Sequence, residues 1–146
     1  MKKYDTIDFR IEKLKLDWKE RNCCVILINE EELLPIIRQK EEGLFKKFHL
    51  DPKGAGNYNY LEADDLYVYL RYADLTCGDT KAPILCCSCD EVECDCVRVK
   101  ISCPLDAVIW SDFESLNPRN GWKYGLEFRF EPEAYRDFMK RLKGTE

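Results

Sequence analysis

Histidine is almost absent from this chain. Of 146 residues only His49 carries an imidazole, which excludes a His-rich metal centre and leaves any His-dependent nucleophilic triad a single candidate base. That residue stands in Phe48-His49-Leu50, ahead of a Pro- and Gly-containing stretch, the setting of a surface or capping histidine rather than of a Cys–His dyad. No G-x-x-x-x-G-K, G-x-G-x-x-G, G-x-S-x-G or EF-hand loop occurs, and Gly54-Ala55-Gly56 lacks the strand-to-helix setting of a phosphate loop. Nothing marks a nucleotide enzyme. Positive charge is in deficit too: 23 Lys plus Arg against 28 Asp plus Glu give −5, the wrong sign for a protein that neutralises phosphates over a broad face. Nucleic acid is not an expected partner. No apolar run approaches the roughly 18 residues of a membrane span, and the charged start Met1-Lys2-Lys3-Tyr4-Asp5 leads into no signal-like h-region. A cytoplasmic protein without membrane contact is expected.

Apolar residues make up 45% and aromatics 12%, enough for a real core. The length suits a single domain, 1–146. Ile7, Phe9 and Ile11 alternate with charged residues, and Cys24-Val25-Ile26-Leu27-Ile28 is a continuous apolar run, so the chain opens on a hairpin with Arg21-Asn22 as its turn. Asn29 as N-cap and Glu32 three residues on predict a helix over 30–41, with a kink or shifted start at Pro35. Residues 49–61 concentrate Pro, Gly and Asn and read as the main loop. Strand propensity competes with a helical stripe of Ala63, Leu66, Leu70 and Ala73, and a short helix is preferred. Strands over 84–89, 94–102, 107–113 and 126–130 make a meander, followed by a helix from Pro132 with Tyr135, Phe138, Met139 and Leu142 inward. Strands outnumber helices without alternating with them. The expected class is therefore α+β: an antiparallel β-sheet of hairpins and meander with two or three packed helices.

Nine cysteines is an odd number, so they cannot all pair within one chain. Cys23, Cys24, Cys77 and Cys103 are read as small buried hydrophobes. The stretch Cys86-Cys87-Ser88-Cys89-Asp90-Glu91-Val92-Glu93-Cys94-Asp95-Cys96 needs another account. In a hairpin looped over 90–93, Cys89 opposes Cys94 and Cys87 opposes Cys96. All four then share the more polar face, away from Val97, Val99 and Ile101. Zn²⁺ is a candidate cofactor for Cys87, Cys89, Cys94 and Cys96. An ideal hairpin, however, spreads four thiols over a rectangle of about 5 by 7 Å, and the flanking acids oppose more thiolate charge. Cross-strand disulfides and unligated, covered thiols remain open beside it.

Trp110-Ser111-Asp112-Phe113 and Trp122-Lys123-Tyr124-Gly125 flank an Asn/Pro/Gly turn. Alternation puts Trp110 and Asp112 on one face and Ser111 and Phe113 on the other. Trp110, Asp112, Trp122 and Tyr124 are candidate partner-binding residues, since large aromatics anchor interfaces. Core closure at the sheet end is the competing reading. Asp64-Asp65 and Asp112 with Glu114 could do acid–base work, yet such pairs are expected by chance among so many acids, and no catalytic residue is assigned.

Ile28-Asn29-x-x-x-Leu33, Ala55-Gly56-x-Tyr58-x-x-Leu61, the Cys87, Cys89 and Cys94 run, Trp110-Ser111-Asp112-Phe113, Trp122, Tyr124 and the Tyr135 helix together resemble a group of uncharacterised bacterial proteins of about this length. The resemblance covers most of the chain and implies no reaction. It departs at Asp90 and Glu93, where the group has glycines, and at Asp95, where it has tryptophan. The expected function is a bacterial protein-binding factor of immunity or regulatory type rather than an enzyme. The alternatives are a structural zinc protein, and a thiol enzyme or redox sensor.

Overall fold

The computed structural model describes residues 3–15, 20–49, 51, 58–76, 79–87, 96–115 and 124–144. Its elements are β1 (Ile7–Lys15), β2 (Glu20–Ile28), β3 (Glu31–Glu32), α1 (Leu33–Lys47), β4 (Tyr58–Tyr60), α2 (Ala63–Leu75), β5 (Ala82–Cys87), β6 (Cys96–Ser102), β7 (Val108–Ser115), β8 (Phe128–Phe130) and α3 (Pro132–Lys143). The strands form two antiparallel sheets, one ordered β1-β2-β3 and the other β4-β5-β6-β7-β8. The fold is α+β with antiparallel sheets, as the pattern of elements requires.

The opening hairpin pairs Ile7 with Ile28 and continues to Lys15 opposite Glu20. Arg21 and Asn22, expected at the turn, are therefore strand residues paired with Leu14 and Lys13. Continuing the ladder satisfies more backbone groups than an early turn would. It also buries Arg21, whose Nη2 donates to the Tyr60 carbonyl at 2.8 Å and whose Nε lies 3.5 Å from Glu62.

Asn29 is not a helix cap. Both Asn29 and Glu30 adopt positive φ, 53° and 69°, which turns the chain so that Glu31-Glu32 pairs back onto β2. The Asn29 side chain instead accepts from Thr6 N–H and donates to Asp5, each at 2.9 Å. α1 consequently starts later than expected, at Leu33, and Pro35 falls in its first turn, where a missing N–H costs no helical hydrogen bond. Leu33 and Ile37 are buried.

α2 buries Ala63, Leu66, Leu70 and Ala73, the stripe legible in the sequence, and packs on β2, β5, β6 and α3. In α3, Pro132 opens the helix and the Glu131 carboxylate caps it, accepting from Glu133 and Ala134 N–H at 3.1 and 2.8 Å. Tyr135, Phe138 and Leu142 point inward, while Met139 is only partly buried.

Isolated bridges stitch the two sheets together at both edges. Cys23 bridges Glu62 beyond β4, and Asp5 bridges Phe130 in β8. Cys24 N–H donates to the Leu61 carbonyl at 2.8 Å and Asp5 N–H to the Arg129 carbonyl at 2.7 Å. One cluster of buried side chains then runs from Ile26 and Ile28 through Leu66 and Val99 to Phe138.

The aromatic end of this core depends on a bulge. β6 and β7 pair Arg98 with Glu114 but Lys100 with Ser111, so Asp112 and Phe113 together face Val99. Asp112 takes φ 52°, a conformation Asp tolerates better than most residues. Simple alternation would have sent Phe113 to the face opposite Trp110. The bulge turns both inward, each without solvent exposure, with ring centroids 6.4 Å apart. Trp110 also meets Phe130 edge-on at 5.6 Å and donates its indole N–H to the Tyr135 hydroxyl at 3.2 Å. Replacing Trp110 by Ala should cost about 3–5 kcal/mol, read as a lower urea midpoint at unchanged slope, whereas Trp110→Phe should retain a large part of that loss.

Candidate functional site

The strand register corrects the expected layout of the cysteine hairpin. β5 and β6 pair Leu85 with Val97 and Cys86 with Cys96, one residue away from the pairing of position 87 with Cys96. Ile84, Leu85, Val97, Val99 and Ile101 are completely buried, and Cys86 and Cys96 are 1% and 2% exposed; the face of β6 that carries Cys96 becomes polar only further along, at Arg98 and Lys100. Cys96 is a core residue opposite Cys86, and the Cys86 thiol donates to the Asn59 carbonyl at 3.4 Å. Cys89, Cys94 and the side chain of Cys87 lie outside the described residues. Among the described residues no cluster of three or more His, Cys, Asp or Glu side chains suits a metal ion.

The remaining cysteines divide. Cys23 and Cys24 are buried as expected, and desolvation pushes the Cys24 thiol up to about 12. Cys103, expected inside, is exposed, with its thiol 3.0 Å from the Asp74 carboxylate. It directly follows β6, where the chain leaves the sheet. Cys77 falls outside the described residues.

Of the aromatic candidates, Trp110 and Tyr124 are in the interior. Trp110 belongs to the core, the competing reading the sequence allowed. Tyr124 is buried, and its hydroxyl donates to Glu41 Oε2. Asp112 is exposed, but Lys81 Nζ lies 2.9 Å from its carboxylate and 2.8 Å from Glu114 Oε1, which Arg98 Nη2 also reaches at 2.6 Å. These four groups form a balanced ion cluster across the bulge. Trp122 lies outside the described residues.

Two polar arrangements had no clear sequence signal. The first is Glu41, buried on the inner face of α1, whose Oε2 also accepts from the Tyr58 hydroxyl at 2.6 Å. Two phenols that donate to one carboxylate satisfy its buried oxygen, and they tie α1 to β4 and to the chain ahead of β8. A lone Glu in a charged helical stretch looks like a solvated residue, and only the fold shows its partners.

The second is a cleft of about 600 Å³ between α2, α3 and the turn that joins β6 to β7. Its floor includes Ala107, Val108 and Met139, and Arg71, Arg136, Lys140 and Lys143 line it together with the single carboxylate of Asp74. Arg71 pairs weakly with Asp74 at 3.8 Å. Leu105 at the turn is fully exposed. Elsewhere on α2, outside the cleft lining, Val68, Tyr72 and Leu75 are 61%, 58% and 64% exposed, at the i, i+4, i+7 spacing that aligns side chains on one helix. A cationic, partly apolar recess is therefore built into a protein of net charge −5.

No family model, no curated protein and no solved structure matches the chain. Among the described residues no helix is long and apolar enough to cross a membrane.

Two measurements follow from the buried polar groups. Tyr124→Phe removes one donor to Glu41 and should cost about 1–3 kcal/mol by denaturant titration, with Tyr58→Phe similar in sign. Stability should also fall in alkali. Burial pushes the Tyr60 hydroxyl up to about 12 from its ordinary 10.0 and the Cys24 thiol to about 12 from 9.0, and raises Tyr124 and Tyr135 as well. Groups raised in the folded state bind protons more tightly than in the unfolded chain, so their contribution is complete below about pH 9 and is lost as pH climbs beyond it. The thermal midpoint measured from pH 7 to 11 should be level at first and then drop. A midpoint that stays flat to pH 11 contradicts this account.

Proposed function

We propose that the protein is a protein-binding factor that captures an acidic, apolar-anchored segment of its partner in the α2–α3 cleft. The carrying observation is the cleft's charge: Arg71, Arg136, Lys140 and Lys143 against Asp74 alone, in an otherwise acidic chain. Lys140 and Lys143 also sit in the last turn of α3, where cations complement the helix dipole. That role accounts for neither Arg136 nor Arg71, nor for the convergence of both helices on one recess. Arg136 and Lys140 make no ion pair among the described residues, so a ligand carboxylate need not displace an internal one.

The apolar component fits the same occupant. Leu105, fully exposed, lines the recess together with Tyr67, Val108 and Met139, and leaving such a side chain as Leu105 in water forgoes roughly 1.5–3 kcal/mol of burial. A peptide with Asp or Glu next to Leu or Phe satisfies both features, with the charges steering the encounter and the apolar side chains supplying affinity. An immunity-type or regulatory role is the biological form this reading takes.

Random dodecapeptides displayed on phage and panned on the folded protein supply the test. The expected result is enrichment of sequences that combine acidic and large apolar residues. Binding of a synthesised winner should weaken at least tenfold in the Arg136→Glu/Lys140→Glu double variant and in Leu105→Asp, and should weaken as salt rises. Both variants change exposed positions, so their circular dichroism should match the parent. Recovery of peptides without acidic bias, or binding untouched by the double reversal, overturns the proposal.

A further inference from the structure

Among the described strand pairs, one places two cysteines directly across from each other: Cys86 of β5 and Cys96 of β6. Cys23 and Cys24 oppose Glu12 and Ile11 instead. Directly opposed residues of an antiparallel pair have Cα atoms about 4.5 or 5.5 Å apart, and both values lie within the roughly 4.4–6.8 Å that a disulfide spans. Neither residue is in a disulfide in this structure. The pair stands at the mouth of the hairpin, since Cys96 is the first residue of β6 and Cys86 the last but one of β5. The Cys86 thiol points to the β4 side of the sheet, where it donates to Asn59. Both side chains are buried, and strand ends open locally far more often than strand centres, which gives a small disulfide a route to them.

We infer that Cys86 and Cys96 are a dithiol–disulfide couple, a modification site at which oxidation closes the β5–β6 hairpin covalently. The co-reactant is a low-molecular-weight disulfide such as glutathione disulfide. One cysteine thiolate attacks it, the S–S bond of the small disulfide breaks, one glutathione thiolate leaves, and a mixed disulfide forms on the protein. The second cysteine thiolate then attacks the protein sulfur of that mixed disulfide and expels the second glutathione thiolate. The protein dithiol gives up two electrons and two protons, and glutathione disulfide is reduced to two thiols. Register favours the second step, because the ladder that begins at the Leu85–Val97 pair holds the resolving residue opposite the first. The bond also withdraws Cys96 from any thiolate set that includes Cys87, Cys89 and Cys94, so the oxidised hairpin cannot present all four sulfurs to a metal. This site is independent of the cleft between α2 and α3.

The test is equilibration of the full chain in glutathione buffers of graded ratio, followed by acid trapping, alkylation and peptide mass spectrometry. The expected result is a species 2 Da lighter in which residues 86 and 96 are joined, with a melting midpoint raised by roughly 5–10 °C and restored by dithiothreitol. Cys86→Ala and Cys96→Ala should each abolish that species. Cross-links that map to other pairs overturn the inference. So does a couple that stays reduced while exposed Cys103 becomes glutathionylated. Because mapping is done on the unaltered chain, misfolding of either variant does not remove the test.

Discussion

Asp112 holds its backbone in the left-handed region, and the arrangement of the larger sheet turns on that residue. A regular ladder between β6 and β7 would point Trp110 and Phe113 to opposite sides. The extra residue at 112 makes them neighbours under α3, where Phe130 and Tyr135 complete the aromatic cluster. The cost of a positive φ in a residue with a Cβ is of order 1 kcal/mol, small beside the burial of two large rings. Lys81 braces the site from outside by reaching both the Asp112 and Glu114 carboxylates.

That inward turn also decides which aromatic rings reach the surface. Trp110 and Tyr124 are committed to the interior, so these two rings contribute stability rather than contact surface. Apolar exposure moves to α2 and the turn after β6, at Val68, Tyr72, Leu75 and Leu105. The α3 helix serves both sides: Tyr135 and Phe138 fill the core while Arg136, Lys140 and Lys143 border the cleft. The same alternation of faces that docks the helix therefore loads the recess with positive charge.

Much of the fold was legible in the residues themselves. The stripe of Ala63, Leu66, Leu70 and Ala73 outweighed the strand-like Tyr67-Val68-Tyr69, because helical periodicity over a dozen residues carries more information than local propensity. Pro132 after Glu131 marked the start of α3 through capping chemistry that acts within four residues. The helix after Asn29 was misplaced for the opposite reason. Asn29 has the chemistry of a cap, but its side chain bonds Thr6 and Asp5, residues far off in the chain. The candidate sites were less legible than the fold. The basic last turn of α3 is visible in the sequence, but that Arg71 of α2 meets it at one recess depends on how the helices pack.

The sequence by itself determined the α+β class, the order of its main elements and the net acidic charge, because periodicity, capping and net charge are local or summed properties. Only the tertiary structure decided the pairing of Cys86 with Cys96, the burial of Glu41 under two phenols, and the gathering of cations from two helices into one recess. A strand's register is set by pairing with a neighbouring strand, and the partners of a buried carboxylate come from elsewhere in the chain. Neither can be read from spacing along a single segment.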